Sequence, residues 1–282
     1  MEPLSIVDAH VHFWDPGLLA YPWLDGIPEL RRPFLPADFA SSTGDAPIEK
    51  IVFVECNCTP GDNLREVEHV VRLAEAEPRI AGLVAYVDLT DAAGVDRTLD
   101  ALSDYPLVKG IRHNIQGEPA GFCLQPAFVE GVRKVGRRGF TFDLCVTHDQ
   151  LPEVVRLVEL CPDTRFVLDH CGKPGIRQGL LEPWKSEIAR LAARDHVWCK
   201  LSGLLTEADV ERWREEDLVP YAEHVVEQFG IDRVLYGSDW PVLTLAGQYG
   251  DWYGFTRRLT AGWSESERRR FYYENAVQFY GL

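Results

Sequence analysis

Eight short runs of apolar and β-branched residues punctuate the chain, each followed by a longer stretch in which apolar positions recur with helical spacing. The runs are Ile6–His12, Ile51–Cys56, Ala81–Asp88, Val108–His113, Phe140–Val146, Phe166–His170, Val197–Leu201 and Val234–Ser238. Their near-continuous apolarity predicts strands buried on both faces, as a parallel sheet sheathed by helices requires. Between them, Leu64–Glu77 places Leu64, Val67, Val70, Val71 and Ala74 on one helical stripe, with Asp62 or Asn63 available as a cap. Pro126–Arg138 begins on a proline suited to a first turn and runs out at Gly139. Leu151–Leu160 and Trp184–Ala193 have the same character. Ala208–Phe229 is expected to hold two helices separated around Pro220 and to end at Gly230. The tail after Gly250 reads as helix, with Phe271, Tyr272, Val277 and Phe279 closing the ring.

Strand–helix alternation repeated eight times predicts an α/β fold, a (β/α)8 TIM barrel in which some distortion is allowed for. The competing open, doubly wound sheet is disfavoured because no Gly-x-Gly-x-x-Gly follows the first strand. No linker, repeat or low-complexity segment divides the chain, so residues 1–282 are expected to form a single barrel domain. The stretch Trp14–Asp45, rich in proline and aromatics, makes a long first loop able to fold over the barrel mouth as an ordered lid.

Charge and composition narrow the partners. Lys and Arg number 29 against 44 Asp and Glu, a formal net charge of −15. Such a surface repels phosphate backbones and anionic lipid heads, which argues against nucleic acid and membrane partners. No run approaches the roughly 20 apolar residues of a membrane span, and no basic segment precedes an apolar leader at the N-terminus. The seven cysteines are scattered, mostly in apolar runs, which fits a reducing cytoplasm better than a disulfide framework. Cys56-x-Cys58 lacks the two-residue spacer of a redox or zinc knuckle.

In a barrel, the C-terminal ends of the strands share one mouth, where catalysis is found. Five of the eight histidines fall at or beside such ends: His10, His12, His113, His148 and His170. His10-Val-His12 lies within a strand, so period-two alternation puts both imidazoles on one face, able to chelate a cation or grip an oxyanion. Asp239 follows the last apolar run, which barrel closure brings beside the first. A carboxylate there suits a metal or the proton of a water. Gly172 in His170-Cys-Gly-Lys-Pro174 permits a tight turn that keeps the His170 imidazole at the mouth. The bland alternatives are histidines that merely hydrogen-bond at a strand end and an aspartate that turns the chain before Pro241. The ordered set of all four makes those alternatives the weaker account.

Val7-Asp8-Ala9-His10-Val11-His12, the Asp169-His170-Cys171-Gly172 turn and Tyr236-Gly237-Ser238-Asp239-Trp240-Pro241 resemble the amidohydrolase superfamily. Lys109-Gly110-Ile111-Arg112-His113 narrows the resemblance to its sugar lactonase branch, similar to fuconolactonases and rhamnonolactonases and related to pyrone-dicarboxylate lactonases. The resemblance implies hydrolysis of a cyclic ester. Asp239 would activate the water and later protonate the leaving alkoxide, while His10, His12 and His170 would stabilise the oxyanion, directly or with a cation. Trp14, Arg112, His113, Asp143 and Trp240 are the expected substrate contacts.

The predicted fifth strand carries Asp143 and neither the lysine nor the histidine of binuclear relatives. At most one divalent metal, zinc or manganese, is therefore expected, held by His10, His12 and Asp239 with help from Glu55 or His170. A lactone is activated relative to an amide, so a metal-independent route stays open. Arg112 is the one arginine among the strand ends, with Lys200 as a further cation, whereas a dicarboxylate calls for several cationic donors. A neutral aldonolactone is the favoured substrate class. The alternatives are a metal-dependent decarboxylase or a dicarboxylate lactone hydrolase of the same superfamily, and a barrel kept for binding alone.

Overall fold

In the computed structural model, which describes residues 4–282, eight strands pair in sequence order, every neighbouring pair parallel. They are β1 (Ile6–Val11), β2 (Ile48–Val54), β3 (Ile80–Tyr86), β4 (Val108–Arg112), β5 (Thr141–Leu144), β6 (Phe166–Leu168), β7 (Val197–Leu201) and β8 (Val234–Tyr236). The ring closes between β8 and β1 through one parallel bridge, Val11 to Trp240. Backbone bonds from Asp239 N to His10 O at 2.9 Å and from His12 N to Trp240 O at 2.8 Å complete the seam. The chain is thus a (β/α)8 barrel, and the seam is where it departs from regularity.

Two apolar populations fill it. Ile6, Ile51, Phe53, Leu83, Ile111 and Phe142 belong to the layer between strands and helices. Val7, Val52, Val54, Val84, Val167 and Leu235 pack inside the barrel with Ala276, Phe279 and Tyr280 of the last helix. That helix therefore plugs the floor, each large side chain contributing about 1.5–3 kcal/mol of burial.

Strict alternation along β1 would send Asp8 and His10 to the same face. They go to opposite faces. The Asp8 carboxylate accepts a hydrogen bond from Tyr249 Oη at 3.0 Å, in the helical layer, while His10 meets Lys200 and Asp169 inside the barrel. A register shift resolves this: Asp8 is opposite Ile51 but Val11 is opposite Phe53, so β1 holds an extra residue between them. His10 and His12 then share the interior face, as their spacing predicts.

Most predicted strands overrun their ends at the mouth. There the backbone leaves the ladder through left-handed residues: Asn57 (φ 53°), His170 (52°), Cys171 (54°), Lys173 (46°) and Asp239 (64°). These are the non-glycine residues of positive φ among the described residues, and strain of this kind gathers at functional sites.

The helices match the predicted segments with two corrections. Asp62 precedes the helix Asn63–Ala76, but its side chain does not cap; its carboxylate instead pairs with Arg65 at 2.7 Å. The break expected at Pro220 lies upstream: a short helix Leu204–Glu207 ends at Ala208, and a longer one runs from Glu215 to Phe229 with Pro220 inside it. The proline removes one bond, to the carbonyl of Glu216, on an exposed face open to solvent. The buried face of Leu218, Tyr221, Ala222, Val225 and Phe229 holds the helix together. A helix at Val95–Ser103 was not predicted. The first loop contains two 3-10 turns and the helix Pro36–Thr43, and Trp23 Nε1 ties it to the Cys56 carbonyl at 2.8 Å. Among the described residues no helix is long and apolar enough to cross a membrane.

Candidate active site

His10 and His12 from β1, His170 after β6 and Asp239 after β8 converge at the mouth. Asp239 Oδ1 lies 3.4 Å from His12 Nε2, 3.7 Å from His10 Nε2 and 3.8 Å from His170 Nε2. The Nε2 atoms of His10 and His12 are 3.2 Å apart. All four side chains are buried, Asp239 at 4% exposure and His12 at 6%.

Each group is held from behind. His12 Nδ1 donates to the Val54 carbonyl at 2.7 Å, which leaves its Nε2 lone pair facing the site. His170 Nδ1 bonds Ser202 Oγ at 2.9 Å. Asp8 accepts from Ser238 N at 2.8 Å, fixing the backbone just before Asp239. Gly203, at φ 66°, lets the chain after β7 pass so close that a Cβ there would sit 2.7 Å from the His170 ring.

Burial sets the protonation states. It holds the His10 imidazole well below its ordinary pKa and brings His170 down to about 4, so both rings are neutral near pH 7. Burial opposes ionisation of Asp239, but the neighbouring imidazoles of His170, His12 and His10 outweigh it and hold the carboxyl below the usual range.

Beneath the mouth lies an ion network that sequence reasoning did not foresee. Lys200 Nζ sits 2.5 Å from Asp143 Oδ2, 3.0 Å from Asp169 Oδ1 and 3.3 Å from His10 Nδ1, wholly buried. Tyr280 Oη from the floor helix donates to Asp143 Oδ2 at 2.8 Å. The signal was present in Lys200 itself, a charged residue inside an apolar strand, but its partners are distant in sequence.

The five expected substrate contacts all have partners within the protein. Arg112 is committed to Glu55, through Nε to Oε1 at 2.6 Å and an NH2 to its carbonyl at 2.6 Å, and lies 3.4 Å from Asp169. Asp143 is bound to Lys200 below the mouth. His113 Nδ1 accepts from Leu89 N at 3.1 Å, and the ring packs among Tyr86, Phe122 and Phe128. Trp14 donates to the carbonyls of Leu30 and Arg32, and Trp240 packs against Phe13, Phe34 and Phe39. These side chains build the walls. Lys173, in the turn after His170, forms no ion pair within 4.0 Å among the described residues. Burial lowers its pKa, but Cys145, Glu207 and Asp239 raise it further, which places a free cation at the mouth.

Imidazole and carboxylate donors suit a borderline divalent cation such as zinc. At bond lengths of about 2.0–2.1 Å, tetrahedral ligands stand about 3.4 Å apart, close to the separations here. Donor atoms of His10, His170 and Asp239 all lie within 4.8 Å of one another, and His12 adjoins them. Glu55, held by Arg112, is not among them. A second cluster of Cys145, Asp169 and His170 is equally tight. Arg112 and Lys200 already neutralise Asp169, so a second cation would face two positive charges.

Comparison with known proteins agrees with this geometry. Residues 7–282 match the amidohydrolase family. The chain is 31% identical to an L-fucono-1,5-lactonase of Burkholderia ambifaria, over 98% of this chain and 95% of the relative. It is 27% identical to a 2-pyrone-4,6-dicarboxylate hydrolase of Comamonas testosteroni, over 85% and 77%. A crystal structure of a zinc-bound amidohydrolase from Burkholderia multivorans superposes with a TM-score of 0.88 at 29% identity, covering 99% of both chains.

Proposed function

The chain belongs to the amidohydrolase family, and from that premise we propose that it is a lactonase, hydrolysing a neutral sugar lactone at the mouth of the barrel. The observation that carries this reading is the convergence of three imidazole Nε2 atoms on one oxygen of Asp239, within 3.8 Å. The similarity to an L-fucono-1,5-lactonase supports the ester class and the sugar.

Asp239, ionised at neutral pH, takes a proton from the attacking water and returns it to the ring oxygen as the C–O bond breaks. His10 and His170 face the position where the carbonyl oxygen becomes an oxyanion, while His12, with its proton on Nδ1, presents a lone pair suited to a cation. His10, His12, His170 and Asp239 are the residues that would hold a zinc or manganese ion, which when bound supplies Lewis acidity to the carbonyl and to water. Trp14 and Trp240 exclude solvent from the seam side, and Lys173 offers a cationic donor to substrate oxygen. With Arg112 tied to Glu55 and Asp169, one free cation suits a neutral polyol better than two carboxylates.

The test is a pH-indicator assay over a panel of aldonolactones and 2-pyrone-4,6-dicarboxylate, with chelator and with added zinc or manganese. Turnover of a neutral sugar lactone is expected, falling at least about tenfold with chelator and returning with metal. Turnover of the dicarboxylate alone would overturn the substrate class, and inactivity across the panel would overturn the lactonase reading. Gly203→Ala is expected to lower kcat by about 10²-fold, because the new methyl displaces His170; wild-type kcat in this variant would remove His170 from the catalytic set.

A further inference from the structure

His10 has two competing neighbours on its inward edge. Lys200 Nζ and Asp169 Oδ1 both stand 3.3 Å from Nδ1. We propose that Lys200 and Asp169 are positioning residues that decide which ring nitrogen of His10 carries its proton, and so whether its Nε2 donates a hydrogen bond or accepts a metal.

The proton order in the metal-free site follows from the two ends of a chain of hydrogen bonds. The Val54 carbonyl can only accept, so His12 carries its proton on Nδ1 and offers a lone pair at Nε2. An ammonium can only donate, so Lys200 requires a lone pair at His10 Nδ1 and places the His10 proton on Nε2. Read from either end the order agrees: Lys200 donates to His10, and His10 Nε2 donates to His12 Nε2 across 3.2 Å. In this state the His10 Nε2 proton is given to His12 across the mouth, and His10 has no lone pair there for a cation.

Metal binding at His10 needs the other tautomer. The proton leaves Nε2 to the solvent of the mouth and one is taken up at Nδ1, so the ring stays neutral and the proton count is unchanged. Asp169 Oδ1 is placed to accept it. This oxygen is buried and receives no hydrogen bond of good geometry among the described residues, although Lys200 Nζ is 3.0 Å away. Lys200 does not need His10, because Asp143 holds it at 2.5 Å. A carboxylate behind a ligating imidazole fixes the tautomer and raises its basicity. One pair of residues thus serves both states, and the inference rests on the proposed metal only for the second.

Imidazole nitrogen NMR of the uniformly 15N-labelled protein, before and after zinc, tests this. The metal-free protein is expected to carry the His10 proton on Nε2, and the zinc-saturated protein on Nδ1. Asp169→Asn, which weakens the acceptor while keeping its shape, is expected to raise the zinc Kd by about 10–100-fold. A metal-free wild type protonated at Nδ1, or an Asp169→Asn variant binding zinc as tightly as wild type, would overturn the proposal. Should that variant fail to fold, the metal-free wild-type spectrum decides. Failure of the wild type to bind zinc at all would count against the metal in the proposed function, a result read independently of the metal-free tautomer.

Discussion

Asparagine in place of Asp239 is expected to lower kcat on a sugar lactone by about 10²–10⁴-fold, the range set by loss of a general base, with the substrate still bound. The amide has the carboxylate's shape, so the seam bonds from Asp239 N to His10 O and from Ser238 N to Asp8 survive the change. What disappears is a charge that three imidazoles face and an oxygen able to take a proton. Steady-state kinetics together with binding of an unreactive sugar analogue separate the two effects. Unchanged turnover would remove Asp239 from the role of base, and lost binding with no folded protein would mark it as structural.

The second large effect is on stability. Lys200→Met is expected to cost about 3–5 kcal/mol, as breaking a buried ion pair does when one charge is left behind. Asp143 and Asp169 would then share the barrel interior with Arg112 as the nearer remaining cation. Burial already pushes the Asp143 carboxyl up to about 6 against the pull of Lys200, and removing Lys200 raises it further. A carboxyl with a raised native pKa favours the folded state while protonated and loses that advantage as the pH rises through the shifted value. The deficit of the variant should therefore be smaller at pH 5 than at pH 8, and adding Asp143→Asn should recover part of it. Denaturant midpoints at the two pH values measure this. Equal midpoints for wild type and variant would show that the network contributes nothing to folding.

Why the barrel was legible and its floor was not follows from the range of the interactions. Eight apolar runs, each buried on both faces, leave a local record in composition, and β7 appears at its predicted bounds. His10, His12, His170 and Asp239 were legible because strand ends in a barrel share a mouth, whatever their separation in sequence. The partners of the expected substrate contacts were not legible by the same rule. The rule says which residues stand near the mouth, but not that Glu55 takes up Arg112 or that Leu89 N occupies His113. Lys200, Asp143 and Tyr280 meet across 57 and 137 residues, a pairing no local pattern encodes. Pro220 misled for the opposite reason: its local cost is real, but tertiary burial of one helical face exceeds it.

The extra residue in β1 carries a consequence for how such a chain can change. Below it, the strand keeps one parity, with Asp8 toward the helices; above it, the other, with His10 and His12 toward the axis. Substitutions between Asp8 and His10 alter only packing, since each position keeps its direction. Straightening the bulge with every residue kept would turn both imidazoles into the helical layer, away from Asp239, whereas deleting Ala9 would restore regular pleating with Asp8 and both imidazoles in their present directions. The directions of Asp8, His10 and His12 therefore depend on the bulge that takes up the extra residue, so the parity of β1 tolerates a deletion at Ala9 but not a straightened strand of the present length.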